Sequence, residues 1–261
     1  MPSIFWVGVA QSAIGSTLGF VLGIIAFHYQ QQRQFSKKEK DDWRASLGAL
    51  NQLTIVAGAN IEALANAKLQ FINNLRSEAE KMKAANTKAY GTPLDEREKE
   101  ILDIVTLSNS MRYFYLSFPR NSIMLPPEVR EYSSLSKDTP ALPMFVHRAM
   151  GMMQEINERI ESRNVLIAEF ARESGADTDM SSQRVLYYSS MLSGEGEAIC
   201  EHTDFALNFW RLVLDQIKAY MKVKGAGEHF LEFQLVPKAN EAMPKDELFP
   251  LMRKQLKTSF D

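Results

Sequence analysis

The densest group of side chains that could do chemistry lies within eight residues in the second half of the chain. It consists of Glu197, Cys200, Glu201, His202 and Asp204. On a helix, all of these except His202 would lie roughly on one face. A metal site needs at least three converging ligands, usually with a contribution from another helix. We therefore favour polar residues around a helix bend over a metal site.

The motifs of several common active sites are absent. No histidine has a glutamate three residues before it, and the chain lacks H-E-x-x-H, C-x-x-C, the Walker P-loop and G-x-S-x-G. Cys200 and His147 would form a nucleophile and base only if folding brought them together, and a small buried thiol is far commoner. We expect a non-enzymatic protein without catalytic, cofactor or metal residues, although an unfamiliar active site leaves no motif.

The overall composition is that of an ordinary globular protein. The 261 residues carry 30 bases and 32 acids, for a net charge of −2, and 45% are hydrophobic. These values exclude a disordered chain, a collagen, a disulfide-rich miniprotein and a generally basic nucleic-acid binder. The averages hide a different opening segment, because no charged side chain occurs between Ile4 and Phe27.

The segment Ile4–Phe27 predicts a single transmembrane helix. As an α-helix it would be about 36 Å long, against a hydrocarbon core of about 30 Å. A cleaved signal peptide would need a basic start and a shorter apolar run, and buried core helices are usually shorter. Five bases follow the segment closely and none precedes it: Arg33, Lys37, Lys38, Lys40 and Arg44. This asymmetry predicts a cell-membrane protein with its N-terminus outside and its body in the cytoplasm.

A row of small residues runs along this predicted anchor. It consists of Gly8, Ser12, Gly15, Gly19 and Gly23. Small residues at this spacing let two helix backbones approach closely in lipid, which predicts a homo-oligomer or packing on a membrane-protein partner. Three polar residues, Gln11, Ser16 and Thr17, would line a lumen if several copies surrounded a pore. The pattern leaves the choice between self-association and a different partner open.

Proline placement predicts long helices in the body, since none occurs between Pro2 and Pro93 or between Pro143 and Pro237. An apolar seam, interrupted by Thr54 and Lys68, predicts a helix from about Lys37 to Lys88 that could be continuous with the anchor. The seam consists of Leu50, Ala57, Ile61, Leu64, Phe71, Leu75 and Met82. It could pair between subunits as a coiled coil, but packing on later helices of the same chain is the commoner arrangement.

Further helices are predicted from a cap at Thr92 and Pro93 to about Ser117, from Met144 to Glu173, and from about Ser181 to Lys224. Charged residues including Arg159 and Arg163 are assigned to the solvent side of the second of these. Gly194 and Gly196 are expected to kink or split the third. Short helices are predicted after Pro126 and from Pro244 to Leu256, with an extended segment over His229–Val236.

Two surface patterns have competing interpretations. Bases and aromatic residues mix in the segment 112–120, which is typical of a nucleic-acid stacking surface, but aromatic residues near a helix end usually pack into the core. The polar and basic segment 30–40 would lie beside anionic headgroups, and a solvated helix face explains it equally well. We expect no nucleic-acid partner, and no small-molecule substrate is identified.

The predicted fold class is all-α, with one transmembrane helix and then an antiparallel bundle of about four long helices. The predicted domains are the anchor (1–29), a juxtamembrane polar and basic helix (30–46), the bundle (47–225) and a C-terminal extension with a short helix (226–261). The predicted function is a membrane-anchored interaction or scaffold protein that associates through the anchor. The alternatives are an oligomeric pore and a helical ligand sensor of opposite topology.

Overall fold

A computed structural model describes residues 3–93, 96–128, 141–175, 181–223, 231 and 234–244, with side chains from Ile24 onward except that of Gly175. Six α-helices and one π-helical turn occur in these ranges, and none of the described residues forms a strand. The prediction of an all-α fold is confirmed. The elements are α1 (Ser3–Ala67), the π turn (Lys68–Ile72), α2 (Asn73–Gly91), α3 (Arg97–Ser110), α4 (Ala141–Gly175), α5 (Ser182–Val223) and α6 (Pro237–Ala242).

The chain forms two compact units, Met1–Gly48 and Ala49–Asp261. Within the part of the chain that the structure describes, no helix is both long enough and apolar enough to cross a membrane. The backbone of the predicted anchor from Ser3 onward belongs to α1, but most of its side chains, including all those of its small-residue row, lie outside the described part of the chain.

The apolar seam is buried inside the second unit, and every one of its seven members is at most 9% exposed. The helix that carries it has wider bounds than predicted, because α1 starts at Ser3 and α2 ends at Gly91 on either side of the π turn. The two polar interruptions are also buried, each with its own partner. The hydroxyl of Thr54 donates to the Leu50 carbonyl at 2.9 Å, and the Lys68 ammonium lies beside Asp204.

Helices α4 and α5 pack antiparallel along most of their length. Arg184 near the start of α5 contacts Glu173 near the end of α4, while Trp210 farther along α5 donates to the sulfur of Met153 near the start of α4. Helix α2 is also antiparallel to α5, since Asn86 contacts Ser189 and Arg76 contacts Asp204. This arrangement places the predicted group 197–204 between α2 and α4.

The predicted split at Gly194 and Gly196 is wrong, because α5 is continuous from Ser182 to Val223. The two glycines differ in surroundings. A Cβ added to Gly194 would meet nothing within 4 Å, whereas one added to Gly196 would lie 3.3 Å from both the Ala79 Cβ and the Leu75 Cδ1. Gly196 therefore marks the place where α2 approaches α5 closely.

The predicted bounds of α3 are wrong at both ends. The Thr92 hydroxyl donates back to the Lys88 carbonyl instead of capping a new helix, and α3 begins at Arg97. It ends at Ser110 rather than near Ser117, because the next turn is drawn into side-chain hydrogen bonds described below.

Helix α4 begins at Ala141, so Pro143 lies in its first turn, where no intrahelical donor is lost. The predicted short helix from Pro244 lies almost wholly outside the described residues, and the described short helix instead starts at Pro237. Pro126 and Pro127 lie in irregular backbone, and the continuation of the helix predicted there lies outside the described ranges. The described members of the predicted extended segment, Leu231 and 234–236, form no regular structure.

Candidate functional site

A polar cleft of about 230 Å³ separates α2 from α5, one turn beyond the π turn. Its lining residues are Arg76, Ala79, Glu80, Lys83, Glu197, Cys200, Glu201 and Asp204. Four members of the predicted chemical group therefore line one cleft, as their spacing on a helix requires. His202 faces α4 instead, where its Nδ1 lies 3.5 Å from a carboxylate oxygen of Glu155.

Asp204 holds two cations at the inner end of the cleft. Its carboxylate oxygens lie 2.5 Å from the Lys68 ammonium and 2.6 Å from the Arg76 guanidinium. Burial by itself would lower the pKa of Arg76, but the hydrogen bond and charge of Asp204 raise it. Lys68 lies in the π turn and Arg76 in α2, so this charge cluster connects both elements to Asp204 of α5. In other proteins, π bulges frequently occur at functional sites.

The outer end of the cleft is closed by an exposed ion pair. The Lys83 ammonium lies 2.6 Å and 2.7 Å from the two carboxylate oxygens of Glu197. Exposed pairs of this kind contribute about 0–1 kcal/mol. The pair occupies two of the charged groups that a ligand would otherwise meet.

Cys200 is unsuited to act as a nucleophile in this setting. Its thiol is buried and donates to the Ile72 carbonyl at 3.6 Å, while His147 is exposed on α4. Burial raises the pKa of Cys200 to about 11, so little thiolate exists near neutral pH. The considered pairing of Cys200 with His147 is therefore not supported by the contacts of either side chain.

The potential ligands in and around the cleft do not converge on one point. Asp204 faces cations, Glu197 faces Lys83 and His202 faces Glu155. Over the described residues, no group of three or more His, Cys, Asp or Glu side chains is arranged to hold a metal ion. The structure thus gives the predicted group an electrostatic role between helices.

A second polar centre, which the sequence pattern did not predict, surrounds Arg163 of α4. This residue is assigned to the solvent side by its position in the sequence, but it is completely buried, and that assignment is wrong. Its Nη atoms donate to the carbonyls of Tyr113 at 2.7 Å, Phe114 at 2.5 Å and Leu116 at 2.7 Å. We call this arrangement the arginine clamp. The guanidinium thereby satisfies three backbone carbonyls that follow the end of α3 at Ser110.

Burial lowers the pKa of Arg163 to about 10, which still leaves the guanidinium protonated near neutral pH. On the other side of the clamped turn, the Phe114 amide donates to a carboxylate oxygen of Glu78 at 2.6 Å. Side chains from α2 and α4 thus hold both the amide and the carbonyl of Phe114. The sequence signal that could have found the clamp is an arginine in register with the apolar positions Ile156 and Ile160.

Three asparagines hold the extended segment that follows the clamp. The Asn164 side chain accepts from the Phe118 amide and donates to its carbonyl, at 3.0 and 2.9 Å. Asn157 makes the same pair of bonds with the backbone of Asn121, at 2.7 and 3.0 Å. Asn60 of α1 does so with Met124, at 2.8 and 2.9 Å. We call this set the asparagine ladder.

The spacing of the ladder matches two helical periods. The three residues that the ladder binds, 118, 121 and 124, are three positions apart. An extended chain with three residues per turn rises about 9 Å over that interval. Asn157 and Asn164 are seven apart on α4, a rise of about 10 Å over two turns. The segment therefore runs antiparallel to α4, with the amide and carbonyl of every third residue paired.

Three aromatic residues of the segment 112–120 pack against other rings or into the core of the body. Phe118 stacks on Phe71 with ring centroids 4.4 Å apart, and Tyr115 stacks on Phe170 at 5.0 Å. Phe114 is completely buried. These contacts agree with the core interpretation and leave these rings unavailable as a stacking surface.

The predicted membrane-packing residues are present in α1 only as backbone. This applies to Gly8, Ser12, Gly15, Gly19 and Gly23 and to the polar residues Gln11, Ser16 and Thr17, whose side chains lie outside the described part of the chain. In comparisons with known proteins, no family model, no curated protein and no solved structure matches this chain.

Proposed function

We propose that this protein is a non-enzymatic helical interaction protein, held at the cell membrane by its N-terminal helix. The single observation that carries the proposal is the length of the uncharged stretch from Ile4 to Phe27, which exceeds the hydrocarbon thickness when helical. The end of this stretch supports it. Ile24, Ile25 and Phe27 are 46%, 58% and 64% exposed, so these apolar side chains have little cover from the chain itself.

The distribution of charge supports one orientation. Tyr29 follows the apolar stretch as an interfacial residue would, and the bases from Arg33 to Arg44 come next. The body Ala49–Asp261 then lies on the cytoplasmic side, and the short tail before Ile4 lies outside.

The internal contacts of the body support a structural role for its polar groups. In the polar cleft, Asp204 pairs with Lys68 and Arg76, and Glu197 pairs with Lys83. The arginine clamp and the asparagine ladder bind the protein's own backbone. Side chains that are paired within the protein in this way stabilise the packing of the bundle rather than bind a substrate. The bundle is thereby suited to present a stable surface to a partner protein.

The small-residue row supports assembly within the membrane. Gly15, Gly19 and Gly23 recur every four residues, so one face of the helix permits close approach of a second helix. Association through this face would place several bundles side by side at the membrane.

Two measurements on the full chain in its native membranes test the proposal. Alkaline extraction should leave the protein in the membrane pellet, and recovery in the soluble fraction would overturn the anchor. Crosslinking should trap oligomers whose yield falls in Gly19→Ile, with Ile14→Val as a matched change outside the row. An equal yield from both variants would remove the assembly face, and ion flux through the reconstituted oligomer would favour a pore over a scaffold.

A further inference from the structure

One face of α1 beyond Phe27 carries a basic stripe, formed by Arg33, Lys37, Lys40 and Arg44. The intervals of four, three and four residues keep all four side chains within about 60° of the helix circumference, because each residue advances about 100°. Arg33, Lys37 and Lys40 border one surface hollow of about 570 Å³. These bases therefore converge on a single surface.

The basic stripe is exposed and weakly compensated. Among the described residues, no carboxylate lies within ion-pair distance of Arg33, Lys37 or Lys40, and Arg44 has only a 4.0 Å contact with Asp41. Glu39 and Asp42 of the same helix point away, on the far side of the circumference. The local field of this face is thus positive although the whole chain has a net charge of −2.

We propose that the basic stripe binds anionic phospholipid headgroups of the bilayer in which the chain is anchored. This inference rests on the proposed function, because the anchor is what brings the stripe to the membrane surface. Charge complementarity selects the occupant: headgroups that carry phosphate and a net negative charge match four guanidinium and ammonium groups on one face. Each Lys or Arg side chain near such a surface raises the equilibrium constant for binding to the membrane about fivefold.

The geometry of a helix that emerges from a bilayer favours this contact. Side chains of an α-helix lean toward its N-terminus, which here is the direction of the membrane. Arg33 lies about 9 Å and Lys37 about 15 Å along the axis from Phe27, and the headgroup layer adds about 6 Å to each side of the hydrocarbon. The long side chains reach back over this distance. A tilt toward the basic face then brings Lys40 and Arg44 to the same surface.

The test uses the full chain reconstituted in vesicles of phosphatidylcholine alone and of phosphatidylcholine with phosphatidylserine. Lysine amines are labelled with an amine-reactive reagent, and the labelling rate of each lysine is read by mass spectrometry. We expect Lys37 and Lys40 to label several-fold more slowly in the anionic vesicles, and high salt to restore their rates. Lys38, which lies about 100° around the same helix from Lys37, and Lys81 of α2 should label at the same rate in both lipids.

Equal lipid dependence for Lys37, Lys38 and Lys81 would overturn the stripe as a headgroup site while leaving the anchor intact. Failure of the chain to float with either kind of vesicle would instead overturn the proposed function. The two failures are therefore distinguishable within one experiment.

A variant pair gives an independent measurement. In the stripe variant, the four bases of the stripe are replaced by glutamine. In the body variant, four exposed bases of the body are replaced by glutamine instead: Lys81, Lys99, Arg172 and Lys222. Both changes lower the net charge equally. The ratio of phosphatidylserine to phosphatidylcholine that copurifies with the native chain and with the body variant should exceed the ratio in the bulk membrane. With the stripe variant, the copurified ratio should equal the bulk ratio. Equal enrichment in both variants would contradict the proposal.

Discussion

The guanidinium of Arg163 lies over the ring of Phe118, with its Cζ 4.5 Å from the ring centroid. The same ring stacks on Phe71 of the π turn, and the backbone of Phe118 is held by Asn164. One aromatic side chain thus joins the π turn, the extended segment and α4. Since cation–π contacts strengthen when they are desolvated, this stack supports a charge that is otherwise costly to bury.

Replacement of Arg163 by methionine should strongly destabilise the body. Three carbonyls each lose a charge-assisted hydrogen bond, and burial prevents water from replacing all of them, so we expect a loss of roughly 3–5 kcal/mol in the free energy of unfolding. Chemical denaturation followed by circular dichroism measures this loss. Arg172→Met, on the exposed surface of the same helix, should change it by less than about 0.5 kcal/mol. Similar losses in the two variants would show that the clamp contributes little.

Replacement of Asn157 by alanine should loosen the extended segment at one rung of the ladder. The amide and carbonyl of Asn121 lose their partners, so we expect a loss of about 1–3 kcal/mol. Hydrogen exchange should accelerate most at the Asn121 amide. The exposed Asn74 of α2 provides the control, and its replacement by alanine should leave that exchange rate unchanged. Unchanged protection of Asn121 in Asn157→Ala would contradict the role of the ladder.

The two glycines of α5 should respond differently to replacement by alanine. Gly194→Ala should stabilise the protein by about 0.5–1 kcal/mol, because the added methyl group meets open space and improves helix propensity. Gly196→Ala should lose this gain, since its Cβ would crowd Ala79 and Leu75 at 3.3 Å. Thermal unfolding of the matched pair measures the difference. Equal stabilisation would mean that α2 and α5 are not in close contact at Gly196.

The junction of α4 and α5 should make stability depend on pH. Hydrogen bonds from Arg184 and Tyr188 lower the pKa of Glu173 below its ordinary value of 4.5. The contribution of the carboxylate is therefore present above that ordinary value and is lost as the pH falls through the lowered pKa. Glu173→Gln should be less stable than the native chain at neutral pH, and the difference should shrink in acid.

Urea denaturation at several pH values measures that difference. Glu158→Gln removes an exposed carboxylate from the same helix and is the matched control, which should change stability only slightly at neutral pH. A pH-independent deficit in Glu173→Gln would contradict the assignment of the pKa shift to these hydrogen bonds.

Local pattern predicted the elements that depend on periodicity and proline. The apolar seam from Leu50 to Met82 is buried because residues seven and four apart share one helix face, whichever helices cover it. The cap predicted at Thr92 failed because a hydroxyl has two possible directions, and this one donates back to Lys88. The Thr92 carbonyl in turn accepts a hydrogen bond from the Arg97 guanidinium, a contact that local pattern does not predict.

By itself, the sequence determined the all-α class, the long helices of the body and the burial of the seam, since each follows from residues close together along the chain. Only the tertiary structure decided that Arg163 is buried, that Asn60, Asn157 and Asn164 bind one extended segment, and that Asp204 joins Lys68 and Arg76. These contacts link residues tens of positions apart. A polar side chain in a helix is identical in sequence whether it meets water or a distant carbonyl, and only the packing of the helices distinguishes the two.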